Sequence, residues 1–196
     1  MARPRSYDRD HALKRACDIF WSRGFISTGV RSIEDQTGLN QFAIQTEFGG
    51  KEGLYLEAIR SYAAAATKHA LAPMKTGGIT SVSAFFDSLI TDGSPTSSRW
   101  GCLIVNAGIE NAEIGSARID AECRAYWRTL RQRFSAAIRH SINAGEITSN
   151  VGVAEHAKAL VIAVMGIHAM NRAEGSNKAG TPLVKMVQRQ LESWRL

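Results

Sequence analysis

Cysteine and proline are scarce in this chain, with 3 and 4 copies among 196 residues. The cysteines, Cys17, Cys102 and Cys123, are odd in number and far apart. That excludes a disulfide framework and points to a reducing, cytoplasmic setting. The lack of proline, with no regular alternation of β-branched residues, argues against a β-sheet protein. No apolar run approaches the roughly 20 residues of a membrane span. The first residues, MARPRSYDRD, are basic but lack a following apolar stretch, so no signal peptide is expected.

Catalytic and metal-binding groupings are also missing. The 5 histidines share no ligand spacing with cysteines or acids, and no G-x-S-x-G occurs. Phe48-Gly-Gly-Lys51 ends like a phosphate-binding loop. It lacks the first glycine, has Glu52 after the lysine and follows no strand. We therefore expect no enzyme, no metal and no cofactor.

What remains suits helices. Hydrophobic residues make up 44% of the chain and alanine is abundant. The expected fold is all-α, with about nine helices. The net charge of +6 suits a polyanionic partner. Its distribution does not, because residues 1–58 hold 8 Lys/Arg against 8 Asp/Glu and all the excess lies downstream.

The informative stretch is Thr28 to Lys51. Thr28 is placed to cap a short helix carrying Val30 and Ile33. Gly38 supplies a turn, Leu39 an apolar plug and Asn40 a second cap. Phe42, Ala43, Ile44 and Phe48 follow, with Ile44 and Phe48 four apart on one face. Gly49-Gly50 stops that helix. Cap, short helix, glycine turn, cap, short helix is the layout of a helix-turn-helix, although a plain αα-hairpin shares it.

The stretch resembles the TetR family of transcription regulators. The matching residues are Gly24-Phe25, Thr28, Val30, Ile33, Thr37-Gly38-Leu39-Asn40, Phe48, Lys51-Glu52 and Leu54-Tyr55, within residues 8–60. The resemblance implies a helix-turn-helix domain over residues 1–50 and a helical effector-binding and dimerisation domain over 51–196. It implies a homodimer through the last two helices (153–196), a palindromic double-stranded DNA operator and a small-molecule effector. A repressor released from its operator is the expected function. A helical ligand-binding dimer with weak or lost DNA binding is the alternative.

For DNA, the candidates are Thr28, Arg31, Asn40, Gln41, Gln45, Thr46 and Lys51. Gln pairs with adenine, Thr bonds or touches a thymine methyl, and Thr28 and Lys51 stand at helix N-termini suited to phosphate. Arg3 and Arg5 suggest a minor-groove arm. The chain departs from the family at Gln45, Thr46 and Glu47, where aromatic residues including a phosphate-touching Tyr are usual. Glu34 replaces a commonly small residue. Glu47 is expected to turn into solvent.

Downstream, helices are expected over about 51–72, 80–89, 100–111, 116–144, 153–172 and 183–194. The long 116–144 helix turns Ile119, Cys123, Trp127, Leu130 and Phe134 inward and a row of arginines outward. Residues 153–172 are apolar on nearly every side. Position alone nominates Tyr62, Phe85, Phe86, Trp100, Trp127 and His168 as pocket walls, with His168 a satisfied buried histidine. Trp100-Gly-Cys-Leu-Ile-Val-Asn106 resembles a Gly-Cys-Leu segment of a TetR subgroup that includes oxidant sensors. That resemblance makes Cys102 a redox-sensing candidate, its thiolate favoured by a helix N-terminus.

Overall fold

The computed structural model describes residues 7–196, so Arg3 and Arg5 lie outside the described residues. Among those residues the secondary structure is helical. The elements are α1 (Arg9–Arg23), α2 (Val30–Thr37), α3 (Gln41–Phe48), α4 (Lys51–His69), α5 (Gly78–Ser88), α6 (Leu103–Ile114), α7 (Ala117–Asn143), α8 (Val153–Glu174) and α9 (Thr181–Glu192). A short 3₁₀ turn, Ala72–Lys75, joins α4 to α5.

Local chemistry sets most of these bounds. Asp8 caps α1 by accepting from the backbone N–H groups of Asp10 and His11. Ser116 caps α7 in the same way through Ile119. The expected cap at Thr28 does not form. Thr28 is buried, its hydroxyl donates to the Gly24 carbonyl at 2.5 Å, and Gly29 occupies the cap position of α2 without a side-chain bond. α6 starts three residues later than expected, because the chain turns through Trp100 and Gly101, where the Gly101 N–H donates to the Ser98 carbonyl and Gly101 takes φ 70°, and extended Cys102 becomes the cap.

One apolar cluster runs from Ala12 on α1 to Trp194 beyond α9. Ala12, Ala16, Ile19 and Phe20 on α1 meet Leu54, Tyr55, Leu56, Ala58 and Ile59 on α4. Phe20, Phe25 and Tyr55 pack ring against ring at centroid distances of 4.8–6.2 Å. Further along, Phe85 and Phe86 pack on Phe134 of α7 at 5.8 and 5.9 Å.

α8 corrects one expectation, since it is long and apolar enough to cross a membrane by length and composition. Here its Ala157, Leu160, Val164 and Ile167 are buried in the core, alongside polar His168 and Asn171. Its outer face leaves Ile162 and Met170 exposed.

Candidate nucleic-acid interface and effector seam

The α2–α3 turn forms for the reasons read from the sequence. Gly38 adopts φ 75°, ψ 1°, a left-handed conformation that side chains disfavour. Asn40 accepts from the Ala43 backbone N–H at 2.8 Å, and Leu39, Ile44 and Phe48 are buried below. With Ala43, Ile44 and Phe48 inward, the free arc of α3 carries Gln41, Phe42, Gln45 and Thr46, all exposed. Arg31 is exposed on α2, whose N-terminal N–H groups have no side-chain cap.

Phe42 was counted in the sequence simply as one of the apolar residues of this helix. It is 75% exposed and lies on the free arc. Helical phase was the available signal, because 41, 42, 45 and 46 share one side of a 3.6-residue repeat.

Two acids meet partners within the protein. Glu34 on α2 accepts from the Gln41 backbone N–H at 2.6 Å, so a carboxylate already sits at the N-terminus of α3. Glu47 does not turn into solvent. It accepts from the Tyr7 hydroxyl and lies 3.9 Å from the Arg9 guanidinium, which also pairs with Glu57 at 2.6 Å. Arg9 stacks over the Phe48 ring at 4.9 Å. These bonds fasten α3 to α1 and α4 on the side opposite the free arc.

The Thr28 hydroxyl is buried and donates inside the turn to the Gly24 carbonyl. Lys51 is half-buried, its ammonium 4.2 Å from the Phe25 ring centroid, and desolvation lowers its pKa with Glu110 opposing. Gly53 needs its bare Cα, because a Cβ there would overlap the Phe48 carbonyl oxygen. The end of α3 is thus seated directly against the first turn of α4.

The second feature is a seam between α1 and the downstream helices. Trp21 Nε1 donates to the Gly101 carbonyl at 2.9 Å, and its ring meets Tyr62 and Trp100 edge-on at 5.2 and 5.8 Å. Arg172 on α8 donates from one guanidinium nitrogen to the carbonyls of Trp21 (2.9 Å) and Trp100 (3.3 Å). Glu110 on α6 accepts from the Phe25 backbone N–H at 3.0 Å. Trp21, Glu110 and Arg172 were not singled out from the sequence, since their partners lie 80, 85 and 151 residues away.

The six pocket candidates separate. Tyr62 and Trp100 gather at the seam beside Trp21. An open hollow of about 360 Å³ lies there, walled by Trp21, Tyr62, Ala66, His69 and Pro95, with Lys14 at its rim. Phe85 and Phe86 are packed against Phe134. Trp127 does not face inward. Tyr126 is buried in its place, and Trp127 lines an outer groove with Arg124, Arg128, Lys158 and Ile162. His168 is buried, but its Nδ1 has no hydrogen-bond partner, and burial pushes its pKa down to about 4. The expectation of a satisfied histidine is therefore corrected.

Cys102 sits at the helix N-terminus without becoming an activated thiol. It is 2% exposed, and burial raises its pKa further than the backbone N–H groups of α6 lower it. Its neighbour is the Tyr62 hydroxyl. Burial likewise pushes Cys17 up to about 12 and Cys123 up to about 11. Among the described residues no group of three or more His, Cys, Asp or Glu forms a metal site.

Residues 78–187 match the family model "Tetracyclin repressor-like, C-terminal domain". The chain belongs to the TetR family. Solved TetR-family structures share its fold. One is a CifR cysteine mutant complexed with 26-bp operator DNA, with TM-score 0.78 and 23% identity, covering 98% of this chain and 100% of that one. A regulator from Cytophaga hutchinsonii has TM-score 0.83 and 16% identity, covering 100% and 99%. Reduced NemR of E. coli has TM-score 0.77 and 16% identity, covering 92% and 95%. The repressor ComR of Escherichia coli (strain K12) is 35% identical over 60 residues. That match covers 31% of this chain and 29% of ComR.

Proposed function

We propose that this TetR-family regulator is a cytoplasmic, homodimeric repressor whose α3 helices read a palindromic operator. The observation carrying the reading is the exposed arc Gln41, Phe42, Gln45 and Thr46, backed by a fully packed inner face. Exposed Arg31 and the uncapped N-terminus of α2 supply phosphate contacts. Asn40 borders the arc as the cap, and half-buried Lys51 contributes charge at the start of α4. The operator-bound CifR mutant supports the assignment by its shared fold.

Residues 1–50 form the reader in this proposal, and residues 51–196 the sensing and dimerising part. α8 and α9 face the second copy. Their outer surface holds a groove of about 220 Å³ bordered by Leu160, Leu183 and Trp194. Exposed Ile162 and Met186 extend that apolar surface. A small amphipathic effector enters the seam hollow against Trp21 and Tyr62 and parts α1 from α6 and α8. The bonds from Trp21, Glu110 and Arg172 are what it would break. Full release needs about 5.5 kcal/mol of preference for the released state. Buried Cys102 takes part in sensing only after the seam opens.

Selection of genomic fragments on the purified protein, at stated salt, tests the reading. One enriched palindrome supports it. The rival, a dimer with weak or lost DNA binding, is favoured by Glu34 at the N-terminus of α3 and by the neutral charge of residues 1–58. Under that rival no sequence is enriched, and residual binding to mixed DNA vanishes with modest added salt.

A further inference from the structure

We infer that Phe42 is a specificity-determining residue that packs on the 5-methyl group of one thymine in each operator half-site. The inference rests on the operator-reading function proposed above. Phe42 is 75% exposed, on a helix whose packing is already complete without it through Ala43, Ile44 and Phe48. It is the second residue of α3, and the N-terminal residues of a recognition helix are those that approach base edges. At 100° per residue the exposed arc runs Gln41, Gln45, Phe42, Thr46, which places Phe42 among its central positions. Gln45 and Gln41 lie to one side of it with amide groups suited to adenine, and on the other side the Thr46 hydroxyl is spent on the Phe42 carbonyl at 2.8 Å.

A benzyl side chain offers no hydrogen bond, so it reads by shape and by what it dries. The thymine methyl is the one apolar group that a base pair presents in the major groove. A cytosine in its place would lose that contact and leave its amino group without water beneath the ring. Phe42 therefore selects thymine and rejects cytosine. The exposed arc is continuous from Phe42 to the polar readers, so one surface serves both.

The test uses the whole protein and the selected palindrome, remade with deoxyuridine replacing each thymidine in turn. At one position per half-site, loss of the methyl should weaken wild-type binding about threefold to tenfold. Phe42→Ala should bind thymidine and deoxyuridine duplexes equally, and Phe42→Leu should keep part of the difference. 5-Methylcytosine should recover part of what cytosine loses. Circular dichroism melting establishes that each variant is folded. The inference is overturned if no thymine position distinguishes the two bases, or if Phe42→Ala preserves the ratio. It is equally overturned if Phe42→Ala only abolishes self-association of free protein. Failure to enrich any palindrome would instead remove the underlying operator-reading function.

Discussion

Glu110 on α6 accepts a hydrogen bond from the backbone N–H of Phe25 at 3.0 Å, holding the turn that leads from α1 into the helix-turn-helix. Glu110→Ala leaves that donor without its carboxylate. A charge-assisted bond of this kind contributes about 1.5–3 kcal/mol. The melting temperature should fall by about 3–10 °C. Operator affinity should fall as well, because the turn sets the approach of α2. An unchanged melting curve and unchanged affinity would show that the seam does not hold the reader.

Gly53 offers a second test, with a built-in control. Gly53→Ala drives a methyl into the Phe48 carbonyl, which belongs to backbone and cannot swing aside. Overpacking of this sort costs about 1–3 kcal/mol and tilts α3 on α4. Gly108→Ala, on α6 with nothing within 4 Å of its Cβ position, should stabilise by about 0.5–1 kcal/mol instead. Urea melts of the two variants should move in opposite directions.

His168 makes a pH prediction. Burial lowers its folded pKa to about 4 from the ordinary 6.5, so the native state favours the neutral ring. Between those values the unfolded chain binds a proton that the native chain refuses. The associated stability is therefore fully present above pH 6.5 and is lost as pH falls toward 4. The slope approaches about 1.4 kcal/mol per unit within the window. His168→Leu should remove this component from the wild-type profile. If the wild-type-minus-variant difference stays flat from pH 7 to 4.5, the ring is not buried and neutral.

The thiols make a reactivity prediction. Cys102 and Cys123 are buried with raised pKa values. Below roughly 1% of each should be thiolate at pH 7. Iodoacetamide, followed by peptide mass spectrometry, should label both at least tenfold more slowly in native protein than in urea. Rapid native labelling of Cys102 would return it to a direct sensing role.

Short-range chemistry was legible from the sequence. The Asn40 cap, the Gly38 turn and the Ile44–Phe48 face all depend on residues within four or five positions of each other, and all three form. Thr28 misled because a hydroxyl at a helix start can turn backward as easily as forward, and here it meets Gly24. Trp127 misled because Tyr126 beside it is also aromatic and one residue of phase decides which ring goes inside. The seam left no local spacing at all, since Arg172 reaches Trp21 across 151 positions.

The packing of α1 on α4 also bears on the order in which the chain is made. The residues that close the core of the helix-turn-helix, Leu54 to Ile59, follow soon after α3. The nascent chain can bury Phe20 and Ile33 once about 60 residues have left the ribosome. Arg172 emerges more than a hundred residues later. During synthesis the helix-turn-helix thus precedes its tether to the downstream helices, and a chain cut short before α8 would carry it without the tether through Arg172.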